Sequence, residues 1–200
     1  MRLAIVGNSD RPGGGAGDAI ADWRRIGAFI DSADFVVRFN AIRNQTQAWT
    51  GRRTDRLYLR GQGSGGRLFA RCGVPFYAVD KPRELAVVVD LRPYPRPNDD
   101  VYELVDYEEP IARRHSFATT FRLDQGVIAE AQRLVQAESC PLMPSLGFVA
   151  LAHLLNDSSF TRHDKYLLGF TAEGWNGHPW AVEKRLIDRW LASGVLKRFV

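Results

Sequence analysis

The sequence predicts a single-domain α/β fold with a mainly parallel sheet flanked by helices. Three observations predict it. Short apolar runs bounded by Gly, Asn or Asp recur along the chain, as buried strands do. Segments between them carry apolar residues at helical spacing. The two kinds alternate over most of the 200 residues, the pattern of strands joined by crossover helices.

The elements follow in order. Residues 2–7, RLAIVG, read as a buried strand, and NSDRPGGGAG behind them as a long turn. Residues 17–31 place Ile20, Trp23, Ile26 and Ile30 on one helical face, with Asp18 as a cap. DFVVRFN at 34–40 and DRLYLRG at 55–61 are the next strands. GGRLFARCG at 65–73 is a short helix, and VPFYAV at 74–79 and ELAVVVD at 84–90 are further strands. Three prolines in LRPYPRPNDD, residues 91–100, make a loop, and 101–115 give no clear pattern. Residues 124–138 gather Val127, Ile128, Ala131, Leu134 and Val135 on one helical face, and CPLMP ends that helix. SLGFVALAHLLND is a buried helix with Ser145 at its N-cap and His153 in its core. KYLLGF at 165–170 is a strand, GWNGHPW a turn, and AVEKRLIDRWLASG a last helix ending at Gly194. With no internal repeat, residues 1–200 are expected to form one domain.

Composition narrows the class. Hydrophobic residues at 45% and charged residues at 25% suit a globular protein. No apolar run approaches the roughly 20 residues of a membrane span. The N-terminal apolar stretch is too short for a signal peptide, so a cytoplasmic location is expected. Cys72 and Cys140 have no metal-like spacing and read as free thiols. The net charge of +4 rests mainly on arginine, since lysine occurs only as Lys81, Lys165, Lys184 and Lys197. The arginine pairs are scattered, which argues against a nucleic-acid surface. An arginine-rich protein suits anionic nucleotides or acidic acceptors, and peripheral contact with a membrane surface is compatible with its charge.

In such folds ligands gather at the carboxyl ends of the strands. The first strand ends at Gly7, Asn8 and Ser9. The glycines behind them fit neither G-x-G-x-x-G nor a Walker loop, which argues against a dinucleotide-dependent oxidoreductase. Asn8 and Ser9 offer donors and acceptors suited to a nucleotide or sugar. Asn40 ends the RFN run, where it either satisfies a turn or reaches the same ligand. In PSLG, Ser145 opens a helix whose N-terminus can receive an anion, and Gly147 permits close approach; plain capping explains the same residues. His178 sits in a Gly- and Trp-rich turn after a strand, five residues before Glu183. There it is either a base for a hydroxyl proton or a helix-start residue packed on Trp180.

Taken in order, these pieces resemble the sialyltransferases, glycosyltransferase family 29. IVGNS followed by IDSADFVVRFN is similar to the family's large motif, PSLG with FVALAHL to its small motif, and LLGF with GHPWAVE to its terminal His-x4-Glu motif. The resemblance implies a GT-A-like variant of the Rossmann architecture, a CMP-activated sialic acid or related keto-sugar donor, inverting transfer to a glycan hydroxyl, and no required metal or other cofactor. It implies that Asn8, Ser9 and Asn40 hold the nucleotide, that Ser145 and Gly147 contact its ribose or phosphate, and that His178 is the general base, supported by Glu183. Departures from the family pattern are the lack of a membrane anchor, the absence of a cysteine in the large motif, the missing separate His motif, and the shorter chain. The pattern is similar to that of short bacterial proteins, some labelled urease operon accessory proteins. The alternative is therefore a non-catalytic nucleotide-binding or assembly protein with a urease-related partner.

Overall fold

A computed structural model of the chain describes residues 1–9, 20–42, 46, 48–74, 79–89, 106–138, 142–171 and 177–199. Its strands are β1 (Arg2–Val6), β2 (Phe35–Phe39), β3 (Arg56–Arg60), β4 (Glu84–Val88), β5 (Thr119–Arg122), β6 (Asp164–Leu168) and β7 (Lys197–Arg198). They form one sheet in the order β5-β4-β3-β2-β1-β6-β7, and every neighbouring pair is parallel. Parallel neighbours need crossovers. Helices α1 (Ile20–Asp31), α2 (Gly63–Cys72), α3 (Glu108–His115), α4 (Gln125–Gln136), α5 (Leu146–Asn156) and α6 (Trp180–Ala192) lie within them. The chain thus forms the predicted α/β fold.

Strand alternation sorts the core into two layers. Tyr58, Ala86, Leu3, Ile5, Val37 and Phe39 pack with α4, α5 and α6. Their strand neighbours face the other way. Leu57, Leu59, Leu85 and Val87 meet Phe69 of α2 and Ile111 of α3, and Ala4, Val6 and Val36 meet Ile26 and Ile30 of α1. The chain winds outward from β1 to β5 on one side of the sheet, then returns to place β6 against β1. The β1/β6 boundary is therefore the switch point, where crossovers leave to opposite faces and ligands bind in such sheets.

Several elements differ from expectation. Val74 and Val79, the ends of the expected VPFYAV strand, lie in irregular backbone; residues 75–78 are outside the described residues. The unassigned stretch contains α3, with Glu108 and Glu109 in its first turn and Arg113, Arg114 and His115 in its last. That charge order suits the helix dipole, but its single buried apolar residue, Ile111, gives no periodicity to read. β5 is a short strand with both ends exposed, and β7 has two residues. His153 is half-buried rather than enclosed, and its Nδ1 lies 2.6 Å from the Tyr58 hydroxyl. Burial pushes the Tyr58 pKa up to about 12 and lowers that of His153, so a neutral phenol and a neutral imidazole share this hydrogen bond. Cys72 is an exposed free thiol, while Asp18, the 91–100 loop and Cys140 lie outside the described residues.

One buried charge organises the loop after β2. Arg38 is 1% exposed. Its Nη2 donates to the carbonyls of Thr50 (2.6 Å) and Arg53 (3.1 Å), and its Nε to Thr54 Oγ1 (2.9 Å). Burial lowers its pKa to about 10, so it remains a cation at neutral pH. Asp31, at the end of α1, accepts from the Arg52 and Arg53 amides at 2.7 and 2.8 Å, holding the same loop from the other side. Arg38→Met strands the buried carbonyls, and urea unfolding is expected to show a loss of about 3 kcal/mol. Arg38→Lys, with fewer directed donors, should recover less than half of it. A loss in Arg38→Met below about 0.5 kcal/mol, the size of an ordinary surface substitution, would assign the loop to Asp31 instead.

Candidate functional site

At the switch point β1 and β6 end in contact. Gly7 N–H donates to the Leu168 carbonyl (2.8 Å) and Ser9 N–H to the Gly169 carbonyl (3.1 Å). A Cβ on Gly7 would lie 2.3 Å from the Gly169 oxygen. A Cβ on Gly169, which has φ +66°, would lie 2.4 Å from the Trp49 ring. Only glycine fits either position. This brings the β1 turn, with Asn8 and Ser9, beside Phe170.

Asn8 Nδ2 donates to the Phe39 carbonyl at 2.9 Å, tying the β1 turn to the end of β2. The next residue, Asn40, has φ 48°, a left-handed backbone that Asn tolerates better than most residues. Its N–H donates to the Tyr58 carbonyl (2.8 Å), and its Oδ1 accepts from Arg60 N–H (3.2 Å). These partners fix both amide orientations, because a carbonyl only accepts and an N–H only donates. Asn8 therefore keeps Oδ1 as an acceptor and Asn40 keeps Nδ2 as a donor.

Arg60 continues the chain of contacts. Its Nη1 donates to Met143 Sδ at 3.4 Å. The Met143 carbonyl lies 2.9 Å from His178 Nδ1. A carbonyl has no proton to give, so Nδ1 carries the hydrogen and Nε2 the basic lone pair. The imidazole packs edge-on to Trp180 with ring centroids 5.2 Å apart. Burial lowers the His178 pKa most; the Met143 contact raises it and the Arg60 charge lowers it further. His178 is thus a neutral base at neutral pH.

The α5 N-terminus lies next along the chain. Ser145 Oγ accepts from Phe148 N–H (3.1 Å) and donates to Glu183 Oε2 (2.7 Å). Ser145 N–H donates to Glu183 Oε1 at 2.5 Å. Glu183, on α6, is 2% exposed. Burial pushes its pKa up to about 7, against the two Ser145 hydrogen bonds that pull it down. Its carboxylate clamps the start of α5 to α6. Gly147 faces the Phe170 ring, where a Cβ would come within 3.1 Å. Phe170 in turn packs edge-on to Phe39, with centroids 5.4 Å apart.

The structure links the sequence-selected residues through direct contacts and a few intermediaries. Asn8 and Asn40 are joined through the β2 end, Asn40 to His178 through Arg60 and Met143, and Ser145 to Glu183 directly. Sequence reasoning passed over Gly169, Arg60, Met143 and Phe170. The first and last are visible in LLGF; the others act through a strand-end side chain and a backbone carbonyl. Among the described residues no three His, Cys, Asp or Glu side chains group so as to hold a metal ion. Among them, too, no helix is long and apolar enough to cross a membrane.

The Glu183 clamp has a pH signature. The group is raised from 4.5 to about 7 in the fold, so between those values the unfolded chain has lost a proton that the native state keeps. Its contribution to stability therefore falls as pH rises across that window. His178, whose pKa is depressed, acts in the opposite sense below its unfolded value of 6.5, so comparison with wild type isolates Glu183. Glu183→Gln is expected to remove this fall in unfolding experiments between pH 5 and 8. Glu183→Ala, which leaves the Ser145 amide without its partner, should cost about 2 kcal/mol or more at pH 6. Parallel pH profiles for wild type and Glu183→Gln would refute the clamp's raised pKa.

No protein-family model matches the chain. Over 214 aligned residues it is 29% identical to the urease operon 23 kDa accessory protein of Rhizobium meliloti (strain 1021), covering 98% of this chain and 91% of that one. A crystal structure of a mammalian sialyltransferase in complex with Gal-beta-1-3GalNAc-ortho-nitrophenol superposes with a TM-score of 0.57 at 17% identity, covering 99% of this chain and 68% of the other. A second mammalian sialyltransferase structure gives 0.55 at 17% identity over the same shares. At that identity the likeness is one of architecture, and the chain has the sialyltransferase fold.

Proposed function

We propose that this chain is an inverting glycosyltransferase of sialyltransferase type, moving a sialic acid or related keto sugar from a CMP-activated donor to a glycan hydroxyl. The observation that carries the reading is His178, whose tautomer is fixed by the Met143 carbonyl within the contacts that join Asn8, Asn40 and Arg60. The fold likeness supports a glycosyltransferase scaffold.

In this reading the acceptor oxygen attacks the anomeric carbon while His178 Nε2 takes its proton. The bond from that carbon to the phosphate oxygen breaks, and CMP leaves with the electron pair. One displacement inverts the centre and needs one base. Asn40 Nδ2 and the Leu146 and Gly147 N–H groups of the α5 start supply hydrogen bonds to the leaving phosphate, so the scheme requires no metal. Ser145 has given its hydroxyl hydrogen to Glu183, so it shapes the helix start rather than donating to the nucleotide. Glu183 is a positioning residue in the same scheme. Asn8 Oδ1 and the Ser9 side chain are the partners for nucleoside hydroxyls. The whole chain acts as one domain in the cytoplasm, on an acceptor it meets in solution or at a membrane surface.

A second reading is an accessory role without turnover, favoured by the full-length likeness to a protein named for a urease operon. It keeps nucleotide binding but assigns the exposed surface to a urease-related partner.

Thermal-shift titration is expected to show stabilisation by CMP at millimolar concentration, in preference to AMP, GMP and UMP. Stabilisation by another nucleotide without CMP would remove the donor assignment. With a CMP-sialic acid donor, His178→Ala should lower turnover by about a hundred- to ten-thousandfold, with CMP affinity within a few-fold of wild type. The acid limb of the kcat/KM profile, which reports the free enzyme, should have its midpoint below 6.5, because His178 is depressed from that value. CMP binding without transfer to any acceptor, together with stoichiometric capture of urease subunits, would select the accessory reading.

A further inference from the structure

β3 ends in Arg60, a half-buried cation with an unusual set of partners. Its backbone N–H is held by Asn40 Oδ1 (3.2 Å), and its Nη1 by Met143 Sδ (3.4 Å). A thioether is a weak, uncharged acceptor. Other arginines of low exposure are better matched. Arg53 has Asp55 at 3.0 Å, Arg56 has Glu84 at 2.7 Å, and Arg38 has backbone carbonyls. Among the described residues no carboxylate pairs with Arg60. Its side chain thus sits at the carboxyl edge of the sheet with no counter-charge among the described residues. Arg60 and His178 also share Met143, one through the sulfur and the other through the carbonyl.

We propose that Arg60 is the phosphate anchor of the site, its guanidinium forking onto the phosphate of the nucleotide bound beside Asn8 and Asn40. This deepens the proposed function and rests on it for the identity of the nucleotide. A planar guanidinium suits two phosphate oxygens, and such charge-assisted bonds are strong where water is partly excluded. The anchor also couples binding to chemistry. Among the groups that act on His178 are its buried surroundings, the Met143 carbonyl and the Arg60 charge, which holds the imidazole less basic. A phosphate on Arg60 cancels that charge, so His178 becomes a stronger base when the donor arrives. The acceptor proton is then drawn most strongly when there is a sugar to transfer.

Calorimetry with CMP and cytidine, and NMR titration of the His178 ring, test this on wild type, Arg60→Gln and Arg60→Lys, with thermal melts to verify folding. Wild type should prefer CMP to cytidine. Arg60→Gln should lose about ten- to a hundredfold in CMP affinity with cytidine affinity unchanged. Arg60→Lys should fall between them, keeping the charge without the fork. The His178 pKa should rise in Arg60→Gln and should rise on CMP addition only where residue 60 is a cation. CMP binding in a folded Arg60→Gln protein equal to wild type would overturn the anchor while leaving the proposed function intact. If wild type binds neither CMP nor cytidine, the CMP-donor reading falls, and inorganic phosphate tests Arg60 alone. A phosphate-induced rise in the His178 pKa in wild type but not Arg60→Gln would keep the anchor; no such difference would overturn it.

Discussion

The site depends on the contact between Gly7 and Gly169. β1 and β6 are neighbours where the winding of the sheet reverses, so their following segments must part at once. They part only after touching, with the Ser9 amide on the Gly169 carbonyl and no room for a side chain on either glycine. This closeness puts Phe170 under Gly147 and Trp49 against Gly169. The β1 turn is thereby held low against the sheet, where Asn8 can reach the Phe39 carbonyl. The other site contacts extend from that anchored corner through Asn40, Arg60 and Met143.

Buried charge is handled in four ways in this fold, and the differences separate structure from function. Arg38 is enclosed and gives Nη2 and Nε to loop carbonyls and the Thr54 hydroxyl, an architectural use, while its Nη1 has no hydrogen-bond partner among the described residues. Arg56 is paired with Glu84 and Asp157 and flanked by the rings of Phe35, Phe121 and Phe160, each within 5.4 Å of the guanidinium carbon. Salt bridge and cation–π contacts together offset its partial desolvation. Glu183 receives two hydrogen bonds and still feels its burial, so it sits near its titration point at neutral pH. Arg60 differs from these in lacking both a carboxylate and a set of carbonyls among the described residues.

The sequence made the sheet and its major helices legible because burial writes itself as apolar runs and helical spacing. Leu3 to Val6 and Leu85 to Val88 are enclosed on both faces and read as continuous apolar strands. α3 and β5 stayed unreadable for the converse reason: they lie toward one edge of the sheet and bury too little to impose a pattern. In the site, side-chain chemistry at strand ends singled out Asn8, Asn40 and His178. Met143 was not legible, because it offers a carbonyl that any residue could supply and a thioether that is a weak acceptor. Arg60 was hidden within a strand pattern, where charge at the last position looks like ordinary solvation. Ser145 and Glu183 were legible as a pair of places but not as a clamp, since their 38-residue separation gives no local signal.

The weight of the site falls on its costs. Asn40 keeps a left-handed backbone, Arg60 a cation without a counter-charge, and Glu183 a buried carboxyl that would ionise more readily in water. The backbone of Asn40 and the ionisation of Glu183 each carry a cost to the fold, and all three residues adjoin the same strand-end turns and helix start. The proposed nucleotide site would use the first two, because a donor amide and a guanidinium at one corner suit a phosphate. It does not account for the imidazole. A backbone carbonyl holds that histidine in one tautomer beside Trp180, an arrangement that helix-start packing also produces. Under the proposed function Nε2 of that tautomer takes the acceptor proton, so His178 is where a transferase and a nucleotide-binding relative on the same sheet would differ in behaviour.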